Sequence, residues 1–140
     1  KDNMGTLQGL ALPGDPKAPL APEPTADVIV IGLGSNDLIE PLTEAEWPGG
    51  LVGLRTDLAR GIEDLARARL ARSPGARVVL LAFGEYGPNL IEPYQQAQAA
   101  LPGAELLVLP KLARRACDWH PTTKDHAMIA AQLSRLLSQK

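Results

Sequence analysis

From Asp27 onward the chain sets short unbroken apolar runs against longer stretches whose apolar residues recur every three or four positions. Val28-Ile29-Val30-Ile31, closed by Gly32, is a continuous β-branched run, the pattern of a strand buried on both faces. Arg77 to Phe83 repeats that pattern, and Glu105 to Leu109 gives a third, shorter strand. Between the first two runs Leu51, Leu54, Leu58, Ile62 and Leu65 fall on one helical stripe, with Arg55, Asp57, Arg60, Glu63, Asp64 and Arg67 around the rest. Ser73-Pro74-Gly75 ends that helix. A second helix is expected within Pro88 to Leu101, where Pro93 either splits it or marks its first turn. The last helix starts at about Thr123, capped by Thr122 with Asp125 three residues on, and buries Ile129, Leu133, Leu136 and Leu137. Strands alternating with helices predict an α/β layer with a parallel sheet.

Two stretches break the pattern. In residues 1–26, Pro13, Pro16, Pro19, Pro22 and Pro24 lack backbone donors and restrict their predecessors, which predicts an irregular segment rather than helix or sheet. The stretch from Leu38 to Gly50, with Pro41, Trp47, Pro48 and a Gly49-Gly50 pair, reads as a loop. Three strands are few for a parallel sheet that must be covered and edge-protected. Strand counting therefore predicts that neighbouring strands on the amino-terminal side are missing from this chain.

Composition narrows the function. One domain of 140 residues, with 45% hydrophobic and 21% charged residues, is long enough for a real core. A net charge of −2 and an isoelectric point near 5.7 argue against a nucleic-acid partner. No apolar run approaches the roughly 20 residues of a membrane span. Cys117 is the single cysteine and forms no internal disulfide.

Function in an open parallel sheet collects at the carboxyl ends of strands. Gly34-Ser35-Asn36-Asp37 lies at one such end. Asn36 can present its amide to a substrate oxygen, and Gly34 lets the backbone turn or approach closely. Alone, this segment reads first as an Asx turn at a strand exit. Cys117-Asp118-Trp119-His120-Pro121 follows the third strand, and Pro121 stiffens a loop on which His120 can face a cleft as a general base. Asp118 is the candidate orienter of that imidazole, or a surface partner of Arg114 or Arg115. Cys117, Asp118, His120, Asp125 and His126 include ligand types, but their spacing fits no common zinc pattern, so no metal or other cofactor is expected. Trp47 and Trp119 sit in loops at the same edge, either stacking on sugar rings or sealing loops onto the core.

In combination these blocks resemble the SGNH (GDSL-type) hydrolases. Asp118-Trp119-His120-Pro121 followed by Asp125-His126 is similar, more narrowly, to carbohydrate esterase family two, which removes O-linked acetyl groups from polysaccharides. The likeness spans roughly residues 27 to 137, so 27–140 is expected to be the carboxyl-terminal part of such a domain. It implies a flavodoxin-like three-layer α/β/α sandwich, His120 as base, Asn36 and Gly34 at the oxyanion hole, Asp118 or a backbone carbonyl orienting His120, and a secreted or periplasmic setting. The implied partners are an acetylated carbohydrate or other small ester, and the amino-terminal fragment of the same enzyme. The family's nucleophile lies in an upstream Gly-Asp-Ser block, whereas Gly14-Asp15 is followed here by Pro16. Ser35, Ser73, Ser134 and Ser138 occupy no nucleophile position, so the serine is expected in a missing upstream segment. Two alternatives stay open: a non-catalytic α/β binding domain that has lost its nucleophile, and a lipase- or thioesterase-type SGNH hydrolase.

Overall fold

The computed structural model describes residues 25–38 and 43–139, with the side chain of Asp118 left out. The proline-rich segment 1–24 and residues 39–42 of the first loop therefore lie outside the described residues. Strands β1 (Val28–Ile31), β2 (Arg77–Phe83) and β3 (Glu105–Leu109) form a parallel sheet in the order β1-β2-β3. Helices α1 (Gly50–Arg72), α2 (Pro88–Ala100) and α3 (Thr123–Leu137) alternate with them. This is the α/β arrangement that the alternating pattern predicts, and each strand occupies the expected residues.

Period-two alternation sorts the strand side chains onto two faces. Ile29, Ile31, Val78, Leu80 and Ala82 share a core with Ile62 and Ala66 of α1 and Leu90, Tyr94 and Ala97 of α2. Fully buried Leu80, Leu90 and Val79 each contribute about 1.5–3 kcal/mol of burial. Helix α3 is fastened to the sheet at its carboxyl end by Arg77. That guanidinium forks onto Glu105 at 2.8 and 3.1 Å and donates to the carbonyls of Leu137 (2.8 Å) and Leu136 (3.2 Å). Arg77 thus joins two strands and a helix at the amino edge of the sheet.

Three expectations need correction. Val30 is 46% exposed, because β1 is an edge strand among the described residues and is not buried on both faces. Ile129, Leu133, Leu136 and Leu137 are half-buried rather than buried, since α3 packs only sparsely against the other elements among the described residues. Pro93 neither splits α2 nor begins it. Pro88 takes the first-turn position and the helix runs on through Pro93. Near the start of the helix the missing N–H forfeits a single intrahelical bond, and the ring is fully buried, which offsets that loss. A groove of about 360 Å³ follows β1, lined by residues 29–33 with Leu65 and Arg69, and does not reach His120.

Candidate active site

All three strands point the same way, so the loops after β1, β2 and β3 leave from one edge of the sheet. The β1 exit is built on Tyr94. Its hydroxyl accepts from the Leu33 N–H at 2.7 Å and donates to the Leu33 carbonyl at 2.9 Å, so one side chain satisfies both main-chain groups of a residue leaving the sheet. Gly34 then turns with φ 90°, and a Cβ there would meet Leu58 of α1 at 2.7 Å. The left-handed conformation disfavours any side chain there, and Leu58 would have to move to admit one. The 3₁₀ turn Asn36–Leu38 follows, with Asn36 exposed at the edge.

Burial pushes the Tyr94 phenol up from 10.0 to about 12, against the opposing Leu33 contact. Ionisation in the unfolded chain comes first, so the stability Tyr94 contributes is complete below the ordinary value and disappears as pH rises toward about 12. Tyr94→Phe strands the Leu33 N–H and carbonyl, an expected loss of about 1–3 kcal/mol. Denaturant unfolding at neutral pH checks this, and the variant's stability should vary less across that alkaline range than the wild type's.

The loop after β3 is closed by one carboxylate. Asp125, 7% exposed in the first turn of α3, accepts from the N–H groups of Ala113 (3.0 Å), Arg114 (3.3 Å) and Thr122 (2.7 Å), and from the Thr122 hydroxyl (2.8 Å). The Asp125 N–H donates in return to the Thr122 hydroxyl oxygen at 3.2 Å, completing the expected capping box. The Thr122 main-chain bond first, and the Ala113 bond next, hold the Asp125 carboxyl down to about 2. Its contribution to stability is therefore complete above the usual carboxylate range and is lost as pH falls toward that value.

Within this closed loop the 3₁₀ turn Cys117–Trp119 presents His120. Pro121 restricts its predecessor to extended backbone, and His120 has φ −73° and ψ 158°. The His120 Nδ1 lies 3.0 Å from the Cys117 carbonyl, which also accepts the His120 main-chain N–H at 3.2 Å. A carbonyl only accepts, so in the neutral ring this contact selects the tautomer with the proton on Nδ1 and Nε2 as the acceptor. Of the two orienters that the sequence left open, the backbone carbonyl is in place; the Asp118 side chain lies outside the described residues.

Asn36 and His120 thus stand at the same edge, on loops that flank the exit of β2. The remaining residues divide. Trp119 is 81% exposed beside His120. Trp47 is half-buried, and its indole donates to Asp57 of α1 at 3.1 Å. Ser73 is 7% exposed at the opposite edge of the sheet and accepts from the Ala26 N–H at 2.9 Å. That is a structural duty and fits its exclusion as nucleophile.

Sequence reasoning missed the pair between these loops. Arg114 forms an ion pair through Nε with Glu85, in the 3₁₀ turn Gly84–Tyr86 after β2. Gly84 makes the approach possible, since a Cβ there would meet the Leu109 carbonyl oxygen at 2.2 Å. Arg114 was visible only as one of two adjacent arginines, and nothing in the pattern linked it to Glu85.

The parallel three-stranded α/β arrangement matches part of the fold of a solved carbohydrate esterase. The structure matches a solved carbohydrate esterase whose active site displays divergent catalytic and non-catalytic binding functions, with TM-score 0.86 at 24% identity over 96% of this chain and 45% of that one. It also matches an acetyl xylan esterase of the rumen bacterium Butyrivibrio proteoclasticus, with TM-score 0.57 at 16% identity over 81% of this chain and 36% of that one. In sequence it is homologous to an acetylxylan esterase / glucomannan deacetylase of Cellvibrio japonicus (strain Ueda107), being 27% identical over 118 residues, or 81% of this chain and 33% of that protein. No protein-family model matches. The chain spans a third to under half of the relatives it resembles. These findings bear out the resemblance to carbohydrate esterases read from the motifs.

Proposed function

We propose that this chain carries the proton-transfer and oxyanion-binding half of a serine esterase that removes O-acetyl groups from carbohydrate. The observation that carries this reading is the ring of His120, set by the Cys117 carbonyl with Nε2 left as acceptor. A hydroxyl nucleophile, supplied by a polypeptide segment other than the described residues, attacks the acetyl carbonyl while His120 takes its proton. Asn36, with neighbouring main-chain N–H groups such as that of Gly34, receives the developing oxyanion. Collapse expels the sugar hydroxyl, protonated by His120. Water then repeats the cycle on the acyl-enzyme and releases acetate.

The substrate class rests on two supports. Relatives in sequence and fold are named for acetylated xylan and glucomannan, and Trp119 offers an exposed indole beside the base, a surface suited to a sugar face. Trp47 is bound to α1 and suits the sealing role.

Adding a second polypeptide that carries a Gly-Asp-Ser block should yield hydrolysis of p-nitrophenyl acetate above that of either chain alone. Acetylated xylan should be a better substrate than a long-chain ester. Stable co-assembly without hydrolysis of any ester would reject the esterase reading in favour of a binding domain.

A further inference from the structure

We infer that Arg114, clamped by Glu85, is a positioning residue for His120. This inference rests on His120 being the base, and it concerns how the exit of β2 reaches that base through the loop.

Among the described residues two that are not glycine have positive φ, Arg114 at 45° and Trp119 at 58°, the first ahead of the turn that leads to His120 and the second at its end. Each such conformation costs of order 1 kcal/mol or more and persists only where the surroundings over-determine it. The Arg114 side chain meets both needs. Its Nε engages Glu85 and its Nη1 donates to the Trp119 carbonyl at 3.4 Å, while its own N–H is held by Asp125. The guanidinium also lies 5.2 Å from the Phe83 ring centroid and 5.5 Å from that of Tyr86. Both rings belong to the end of β2 or the turn after it, and cation–π contact fixes the plane of the guanidinium there.

The pair is shielded, with side-chain exposures of 19% for Arg114 and 11% for Glu85, so little solvent competes for its charges. Glu85 spends one oxygen on Arg114, and its Oε2 is buried with no hydrogen-bond partner among the described residues. A carboxylate left half-satisfied in this way is costly unless a cation stays beside it, so Glu85 in turn holds Arg114 in place. The chain of contacts therefore runs from the rigid centre of the sheet to Glu85, then Arg114, then the Trp119 carbonyl one residue before His120. Catalytic geometry is intolerant of displacement: a shift of about 1 Å can cost about 10²-fold in rate.

Two substitutions test this. Arg114→Gly removes the side chain yet accommodates the left-handed backbone, so it relieves local strain and isolates the contacts. Glu85→Gln keeps size and shape and removes the charge. The primary readout is the imidazole ¹⁵N spectrum of His120 in the chain itself, with His126→Asn assigning the second histidine. The wild type should show protonation at Nδ1. Both variants should shift toward a mixture with the Nε2–H form while circular dichroism stays native. In the esterase-competent complex, kcat should fall about 10²-fold with KM nearly unchanged. A retained Nδ1–H signal in either folded variant overturns the inference, whatever the activity. Loss of folding in both also overturns it, since the pair would then serve stability alone. A shifted tautomer in a protein that hydrolyses no ester would leave the positioning role standing and reject only the esterase reading.

Discussion

His120→Ala in the assembled esterase should lower kcat by about 10⁴–10⁶-fold, the scale seen when a hydrolase loses its proton-transfer group. On the proposed mechanism the loss is large because the imidazole would act twice per acyl transfer, first as base toward the nucleophile and then as acid toward the leaving oxygen. Asp118→Ala should be much milder, because the Cys117 carbonyl at 3.0 Å already fixes the protonated Nδ1. Steady-state kinetics on p-nitrophenyl acetate compares the two variants directly. Equal losses would mean that a carboxylate, not the carbonyl, completes the dyad. The backbone arrangement differs electrostatically from a carboxylate: it orients the ring but places no full negative charge beside the imidazolium that forms.

Asn36→Ala should lower kcat by about 10²–10³-fold with KM changed little, which corresponds to about 2.7–4 kcal/mol of transition-state stabilisation. The donor is worth this much only if it is already in place when the oxyanion forms. The β1 exit meets that condition, because Tyr94 fixes Leu33 through both main-chain groups and Gly34 turns against Leu58. A near wild-type rate would remove Asn36 from the mechanism and leave its turn as a strand exit alone.

Legibility from sequence followed the range of the interaction. The strands were readable because short uninterrupted apolar runs bounded by turn residues have few other fates, and Thr122 and Asp125 announced their cap because its bonds span three residues. Asn36 and His120 were readable as loop residues at strand ends, since parallel order places all such ends on one edge. The exposure of Val30 was not readable, because a run of alternating valine and isoleucine is the same at an edge as at a centre. Nor did the α3 stripe reveal how little covers it, as periodicity shows which side is apolar and not what lies opposite. The tie between Arg114 and Glu85, 29 residues apart, depends on the spacing of two strands and on the absence of a Cβ at Gly84. Neither leaves a local mark.

The loop that carries His120 is secured almost wholly through peptide groups. Asp125 grips main-chain amides on both sides of it, Arg114 reaches a carbonyl, and the turn bonds to itself through Ala116, Cys117 and His120. Residues such as Arg115, Ala116 and Trp119 can therefore be exchanged without unseating the imidazole. Selection can vary those side chains while the setting of the imidazole stays constant.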